Sequence, residues 1–404
     1  MKSFDVIITG GCASGLAAAI NAHRLYPQLK IAVIEKLPRV CKKILATGNG
    51  RCNLSNENTD CGGYTNADFA KFALNRYSVE KTIAFFSSLG LITYTDSEGR
   101  IYPVSNTAAS VADALRFNLD GIEVITDVAV TSVIKKNDTF ILNDKYRCDK
   151  LIIAAGGKAS PSQGSDGSGY SLAKSLGHTV TPLRPALVPL VADQAITKPL
   201  KGVRIHKAEI TLEQNGKKIA SSHGEILFTD NGISGIAAME LASSFEKSKE
   251  STVEITAVID LVPDMSFDKT VEYISALRNE NKRNFDFLLT GILPKAAGIA
   301  VLKKSGVLLT GDIKKLTEKE ISVTAESIHN FRIKVIKTKG FDCAQVTSGG
   351  ISTNEINGET MESLICKNLF FAGEIIDVDG KCGGFNLQWA WSSGLTAGEL
   401  GGKA

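Results

Sequence analysis

An α/β fold is predicted: a parallel-sheet domain, discontinuous in sequence, carrying an antiparallel β-barrel-like insert and a small helical insert. Three observations predict it. The first 35 residues run apolar strand, glycine turn, Ala-rich helix, apolar strand. Two later apolar runs end directly in glycine. The middle of the chain changes to alternating and then to helical patterning.

Phe4 to Thr9 (FDVIIT) is a short β-branched apolar run of the kind buried in a parallel sheet. Gly10 to Gly15 follow, then Leu16 to Leu25 with helical composition, and Ile31 to Ile34 as a second buried strand ending at Glu35. That is one βαβ unit. Val124-Ile125 and Val128 to Ile134 read as further strands, Leu151 to Ala154 runs into Gly156-Gly157, and Asn368 to Ala372 runs into Gly373-Glu374.

Ala208 to Glu213, Lys218 to Ala220 and Glu225 to Phe228 alternate as antiparallel strands with one wet face, and Thr252 to Asp260 is another strand. Gly232-Ile233-Ser234-Gly235 reads as a turn. Ser266 to about His329 is mostly helical, and Phe331 to Thr338 is strand-like. The expected domains are 1–187 with 340–404, a β-rich insert of 188–260 with 331–339, and a helical insert of 261–330.

The bulk properties narrow the class. A chain of 404 residues with 43% hydrophobic and 22% charged residues is globular rather than disordered. A formal charge of +3 neither requires nor excludes nucleic acid. The eight cysteines form no C-x-x-C pair and the five histidines are scattered, so no zinc site and no thioredoxin-like pair is expected, and the thiols read as free. The polar centre of the N-terminal run argues against a signal peptide, and no long apolar stretch occurs. A cytoplasmic protein, not a membrane one, is expected.

A dinucleotide fingerprint needs G-x-G-x-x-G between a strand and a helix: tight turn, close backbone approach to pyrophosphate, close helix packing. Here it reads Gly10-Gly11-Cys12-Ala13-Ser14-Gly15, with Cys12 in the middle glycine's place. A sulfur there could push the pyrophosphate outward. Glu35 stands twenty residues after Gly15, where an acid can accept from ribose hydroxyls. The following loop, Lys42 to Asn53, is rich in Gly, Asn and Thr and can reach along an extended cofactor to a flavin ring. No second credible G-x-G-x-x-G unit exists for a nicotinamide domain. The cofactor expected is FAD, in a Rossmann-like domain.

Two motifs carry a resemblance along nearly the whole chain: Gly48-Asn49-Gly50-Arg51-Cys52-Asn53, and Gly373 to Gly380 continued by Gly383 to Gly394. The chain resembles the three-domain bacterial FAD-dependent oxidoreductases that include aminoacetone oxidase, a bile-acid-pathway flavoprotein and a ribosomal RNA dihydrouridine synthase. The resemblance implies that Gly10, Gly15 and Glu35 serve the ADP half of FAD. Asn49, Arg51 and Asn53 would lie near the flavin or ribityl chain. Gly156 would end the strand passing under the cofactor, and Gly373, Glu374 and Gly384-Phe385-Asn386-Leu387 would close around the ring. Gly11, Ala13, Ser14, Lys36, Lys43, Thr47, Gly48, Cys52, Val128, Ala154 and Ala155 complete the expected cofactor-contacting set. Cys12 departs from the family's usual Gly or Ala, and Cys382 stands where Thr or Ser is expected.

The glycines before Asn386 start a helix whose N-terminal N–H groups could stabilise negative charge on a reduced flavin. Trp389 and Trp391 read as core packing. Catalytic candidates are Cys52, with Arg51 beside it to lower the thiol pKa, and His223, though a buried Cys52 and a structural His223 are the blander readings. Tyr170 could face the ring from the loop after Gly157. Three functions remain open. One is a reductase drawing on NADH or NADPH as a diffusing donor and acting on an unsaturated small molecule or a base in structured RNA. Another is an amine oxidase, aminoacetone-like, that makes peroxide. The third is a non-catalytic FAD-containing binding protein. The reductase is favoured, since an oxidase needs a route for oxygen as well.

Overall fold

A computed structural model describes residues 1–249, 253–280, 285, 288–307, 309–310 and 312–402. The chain forms two compact units, Met1–Arg184 with Gln345–Ala404, and Pro185–Ala344. Among the described residues no helix is long and apolar enough to cross a membrane.

The first unit is built on a seven-stranded sheet. Its strands are β1 (Lys2–Thr9), β2 (Ile31–Ile34), β3 (Ile122–Ile125), β4 (Val133–Lys136), β5 (Thr139–Leu142), β6 (Tyr146–Ile153) and β7 (Leu369–Phe371). The spatial order is β3-β2-β1-β6-β5-β4, with β7 also on β6. β1 pairs in parallel with both β2 and β6. The eight-residue β6 serves two neighbours on one side: Tyr146 to Cys148 pair with antiparallel β5, and Leu151 to Ile153 with parallel β7. Val6, Ile7 and Ile8 are fully buried, as continuous apolar strands covered on both faces must be.

Helix α1 (Ala13–Leu25) returns the chain from β1 to β2. Ala17, Ala18 and Ala19 are fully buried, so small side chains let this helix press close to its neighbours. On its other side lies α3 (Phe385–Ala397). A Cβ on Gly394 would stand 2.4 Å from Ser14 O, and one on Gly398 2.5 Å from Ala18 O. Helix α2 (Ser168–Ser175) lies between these two in sequence. The long excursion from β2 to β3 holds helices and a small sheet of Ser55–Asn56, Arg100–Pro103 and Thr93–Thr95.

The second unit contains a closed antiparallel barrel of Leu190–Ala192, Gly232–Ser234, Lys217–Thr229, Arg204–Gln214, Ile255–Asp260 and Phe331–Thr338, in that order. Ile205, Ala208, Ile210 and Leu212 point inward and their neighbours outward, with a bulge between Ile205 and Ala208. Helices Phe267–Glu280, Lys295–Lys304 and Glu318–His329 belong to the same unit, the last opened by a Thr317/Glu320 capping box. The α/β class and the barrel are as the sequence predicts.

Four local readings are corrected. Gly232 to Ser234 is a barrel strand, not a turn: Ile233 pairs with Leu190 and Phe228, and only a glycine at 232 clears Leu190 O. The strand expected at Val128 to Ile134 begins only at Val133, since 128–132 make no strand pairing. The two short strands expected at Lys218 to Ala220 and Glu225 to Phe228 are one thirteen-residue strand. The strand expected from Thr252 starts at Ile255, and Thr252 itself lies outside the described residues.

Candidate cofactor and active site

Register builds the site. Thr9 is opposite Ile34 and Ile153, Ile153 is opposite Phe371, and Ile34 is opposite Ile125. The carboxyl ends of five parallel strands therefore finish in one row, where ligands bind in open α/β sheets. Four connections leave that row side by side: the glycine turn after β1, Glu35 after β2, Ala154 to Gly157 after β6, and Ala372 to Glu374 after β7.

The glycine turn is sterically determined. Gly10 has φ +104°, and a Cβ on Gly15 would stand 1.9 Å from Gly10 O. Glu35 binds the turn directly. Its Oε2 accepts from Gly11 N at 2.7 Å and its Oε1 from Leu37 N at 2.9 Å. A carboxylate has about four acceptor positions, so capacity for hydroxyl donors remains. Cys12 has extended backbone (φ −120°), open to any residue, and its side chain packs against the apolar core. Burial pushes its thiol pKa up. Ala13 and Ser14 open α1, and Ser14 Oγ donates to Ala372 O at 3.2 Å, joining the turn to β7.

At the far end of this cleft Val128 N donates to Glu35 O, and Val128 lines the wall with Thr9, Ala155 and Ser168. Lys36 Nζ pairs with Asp166 Oδ1 at 2.7 Å. Burial would raise the Asp166 pKa, but hydrogen bonds from Lys36 and Ser168 outweigh it and hold the carboxyl at about 2. Ala154 N donates to Thr9 O, and Gly156 (φ +72°) passes within reach of Ser165 Oγ.

The second half of the site is tied together by one ion pair. Lys43 Nζ donates to Glu374 Oε2 at 2.7 Å and to Ala159 O at 3.2 Å, while Glu374 Oε1 accepts from Thr347 N at 2.8 Å. Both residues are expected to contact cofactor, and the structure brings them onto each other. Gly373 is gripped from α3, its N–H donating to Ser393 Oγ and its carbonyl accepting from Trp389 Nε1. Trp391 Nε1 donates to Leu54 O, and both tryptophans are buried as core residues.

The Gly48–Asn53 loop folds under itself. Thr47 Oγ1 donates to Ile44 O, Cys52 N to Thr47 O, and Gly48, Asn49, Gly50 and Cys52 all have positive φ. Asn49 is exposed. Gly384 (φ +108°) starts α3 against this loop, where a Cβ would stand 2.4 Å from Ser55 O and 3.0 Å from Asn53 Oδ1. Asn386 uses both ends of its amide on Gly380, so it shapes the loop rather than facing outward, while Phe385 is buried against Tyr64 and Leu387 is half-buried.

The geometry gives no support to activation of the Cys52 thiol by Arg51. Cys52 is fully buried, and burial pushes its pKa up to about 12, only partly offset by the neighbouring Thr47 hydroxyl. Arg51 lies on Tyr102 instead, with Nη2 donating to Tyr102 Oη at 3.3 Å and Cζ 4.5 Å from the ring centroid. His223 sits in the middle of the long barrel strand, exposed and paired with Glu209 on the outer face of the second unit. Tyr170 is on α2, not in a loop, and is buried.

Six buried polar atoms in this unit have no hydrogen-bond partner among the described residues: Thr9 Oγ1, His23 Nδ1, Asn53 Oδ1, Ser165 Oγ, Tyr170 Oη and His178 Nδ1. Thr9 and Ser165 were not singled out from sequence, nor was Thr347, whose Oγ1 accepts from Lys158 N and Ala159 N. The only signal for Ser165 is its place in the Gly-Ser-Asp-Gly-Ser-Gly run from 164 to 169.

The HI0933-like protein Rossmann domain family matches residues 4–400. The chain is 36% identical over 400 residues to a 3-dehydro-bile acid delta(4,6)-reductase of Clostridium scindens, covering 97% of each. It is 29% identical to a ribosomal RNA dihydrouridine synthase of Escherichia coli, covering 97% of this chain and 96% of that one. Among solved structures it superposes on 3-ketosteroid delta1-dehydrogenase from Sterolibacterium denitrificans with TM-score 0.52 at 12% identity, covering 99% of each. That last likeness is one of fold. With the match running along almost its full length, the chain belongs to the HI0933-like Rossmann-domain family.

Proposed function

We propose that the chain is an FAD-dependent oxidoreductase that reduces a conjugated carbon–carbon double bond in a small molecule, with NADH or NADPH as electron donor. The observation that carries this reading is its 36% identity, over 97% of both chains, with a reductase acting on an unsaturated bile acid.

The residues present fit FAD. Thr9 Oγ1 and Ser165 Oγ beside the strand ends, and Asn53 Oδ1 in the Gly48–Asn53 loop, are buried without partners among the described residues, and a buried orphan of this kind costs about 1–3 kcal/mol unless a ligand satisfies it. Gly11, Ala13 and Ser14 would present backbone N–H groups and the positive end of α1 to the pyrophosphate. Glu35 would accept ribose hydroxyls with its remaining lone pairs, and Val128 would flank the adenine end. Asn49, Asn53, Gly373 and the Gly384 to Leu387 segment would hold the ribityl and ring end. FAD, when bound, supplies the two-electron transfer. The chain's own part is positional. The Lys43–Glu374 pair ties three connections together, and the start of α3 would present N–H groups to developing negative charge on the ring. Cys52, with its raised pKa, stays a neutral packing residue at working pH.

The test is an anaerobic titration of the purified yellow protein. NADH or NADPH should bleach the flavin bands, and a 3-oxo-4-ene bile acid should restore them while losing its own enone absorbance. A protein that is colourless and takes up no FAD at micromolar concentration overturns the reading. The likeness to a ribosomal RNA dihydrouridine synthase supports a second substrate, a pyrimidine in RNA. Binding of an rRNA fragment that weakens steeply between 50 and 200 mM salt, roughly 10³-fold or more for six phosphate contacts, together with dihydrouridine formation, would favour it.

A further inference from the structure

The small sheet beside the Gly48–Asn53 loop carries a surface that the fold does not use. Tyr94 pairs with Tyr102, and Ile92 with Val104 through the bond from Val104 N to Ile92 O at 2.9 Å. Alternate residues share a face, so these two pairs form consecutive rows roughly 7 Å apart. The outer row is bare: Ile92 is 73% and Val104 60% exposed. Tyr94, 37% exposed, stacks on Tyr102 with centroids 5.9 Å apart and planes 30° from parallel. Arg51 also lies over Tyr102, its guanidinium held by the ring and by the phenol oxygen.

The charges along this face differ in kind. Arg100, in the next row, is neutralised by Asp96 at 2.9 Å and Glu98 at 2.6 Å. Arg51 has no carboxylate partner among the described residues, yet its guanidinium is oriented, and the positive-φ residues on both sides of it set where it stands. An exposed apolar strip ending in an oriented, unpaired guanidinium is complementary to a flat apolar molecule with one anionic end. We infer that Arg51 and the Ile92–Val104–Tyr94 strip form a specificity site for an amphipathic substrate bearing a single carboxylate, with the carboxylate on Arg51 and the apolar body along the strip. Arg51 shares the loop that carries Asn53, so the site adjoins the place proposed for the flavin. The inference rests on the reductase reading and names the substrate class for it.

The test uses equilibrium dialysis of the full-length FAD-loaded protein with a 3-oxo-4-ene bile acid and with its methyl ester, in parallel with enone reduction. The wild type should bind the acid about tenfold more tightly than the ester, the scale of one charge-assisted hydrogen-bonded pair. Arg51→Gln should lower acid affinity to the ester's level and leave the ester unchanged, with Arg51→Lys between. Ile92→Ser, at an exposed position safe for folding, should weaken acid and ester alike. Equal binding of acid and ester by the wild type, or an equal loss of both in Arg51→Gln, overturns the proposal even if FAD binding and reduction of the ester persist. A protein that takes up no FAD yet prefers the acid keeps the specificity site and overturns the reductase reading. Tighter binding of an rRNA fragment than of the acid, lost in Arg51→Gln, also overturns the proposal, because it assigns the guanidinium to phosphate.

Discussion

The two ends of the candidate cofactor site are built in opposite ways. At the turn between β1 and α1, backbone and glycines do the work: Gly15 admits no Cβ, and Glu35 is spent partly on the Gly11 N–H. At the Gly48–Asn53 loop, the backbone is held in left-handed conformations and the side chains carry the chemistry, Asn53 inward and Arg51 outward onto Tyr102. The first end tolerates almost no change of shape. The second is also fixed in backbone shape, but there the charged and polar side chains carry the sensitivity.

Substitutions can break or sharpen that contrast, and the largest effect belongs to the turn. Gly15→Val places carbon within 1.9 Å of Gly10 O, which only backbone movement can relieve. We expect a loss of about 3 kcal/mol or more in urea unfolding and no FAD retained on gel filtration. Glu35→Ala should come next, costing about 2 kcal/mol by stranding two backbone donors, and it should weaken FAD binding in fluorescence titration. If Glu35→Ala is as stable as wild type, the turn is not held by its acid.

The loop should respond more mildly. Cys52→Ala removes a buried sulfur and is expected to cost about 1 kcal/mol, with turnover within twofold of wild type and an unchanged pH profile. A loss of turnover of a hundredfold would restore a chemical role for the thiol. The smallest effect is Asp166→Asn beside Lys36. The folded carboxyl is held at about 2, below its unfolded value, so its contribution is present above pH 4 and lost as pH falls towards 2. Because the pair is half-exposed, the difference should stay under about 1 kcal/mol at pH 7. Urea midpoints of wild type and variant should converge below pH 4, and a gap that widens there would show that Lys36 and Asp166 are not paired.

Local patterning made much of the fold legible. The glycine turn, the strand from Ile31 to Ile34, the apolar runs ending at Gly156 and Gly373, and the change to alternation near Ala208 all stand where periodicity puts them. Gly232 to Ser234 was misread because glycine signals a turn locally, whereas here it clears the carbonyl of a strand forty residues away in sequence. The partner of Arg51 is not legible locally for a related reason. Its neighbour in sequence is Cys52, but its neighbour in space is Tyr102, delivered by a strand of the long excursion.

By itself, the sequence determined the layered α/β class, the strand–turn–helix–acid unit and the two motifs that mark the family, because each depends on spacing within one supersecondary unit. Tertiary structure alone decided which side chains share a site. The Lys43–Glu374 pair spans 331 residues, the Ser14 to Ala372 bond 358, and the row of strand ends exists only once β6 has accepted β1 on one side and β7 on the other. Strand register and chain crossovers set those meetings, and neither is written in any short window of residues.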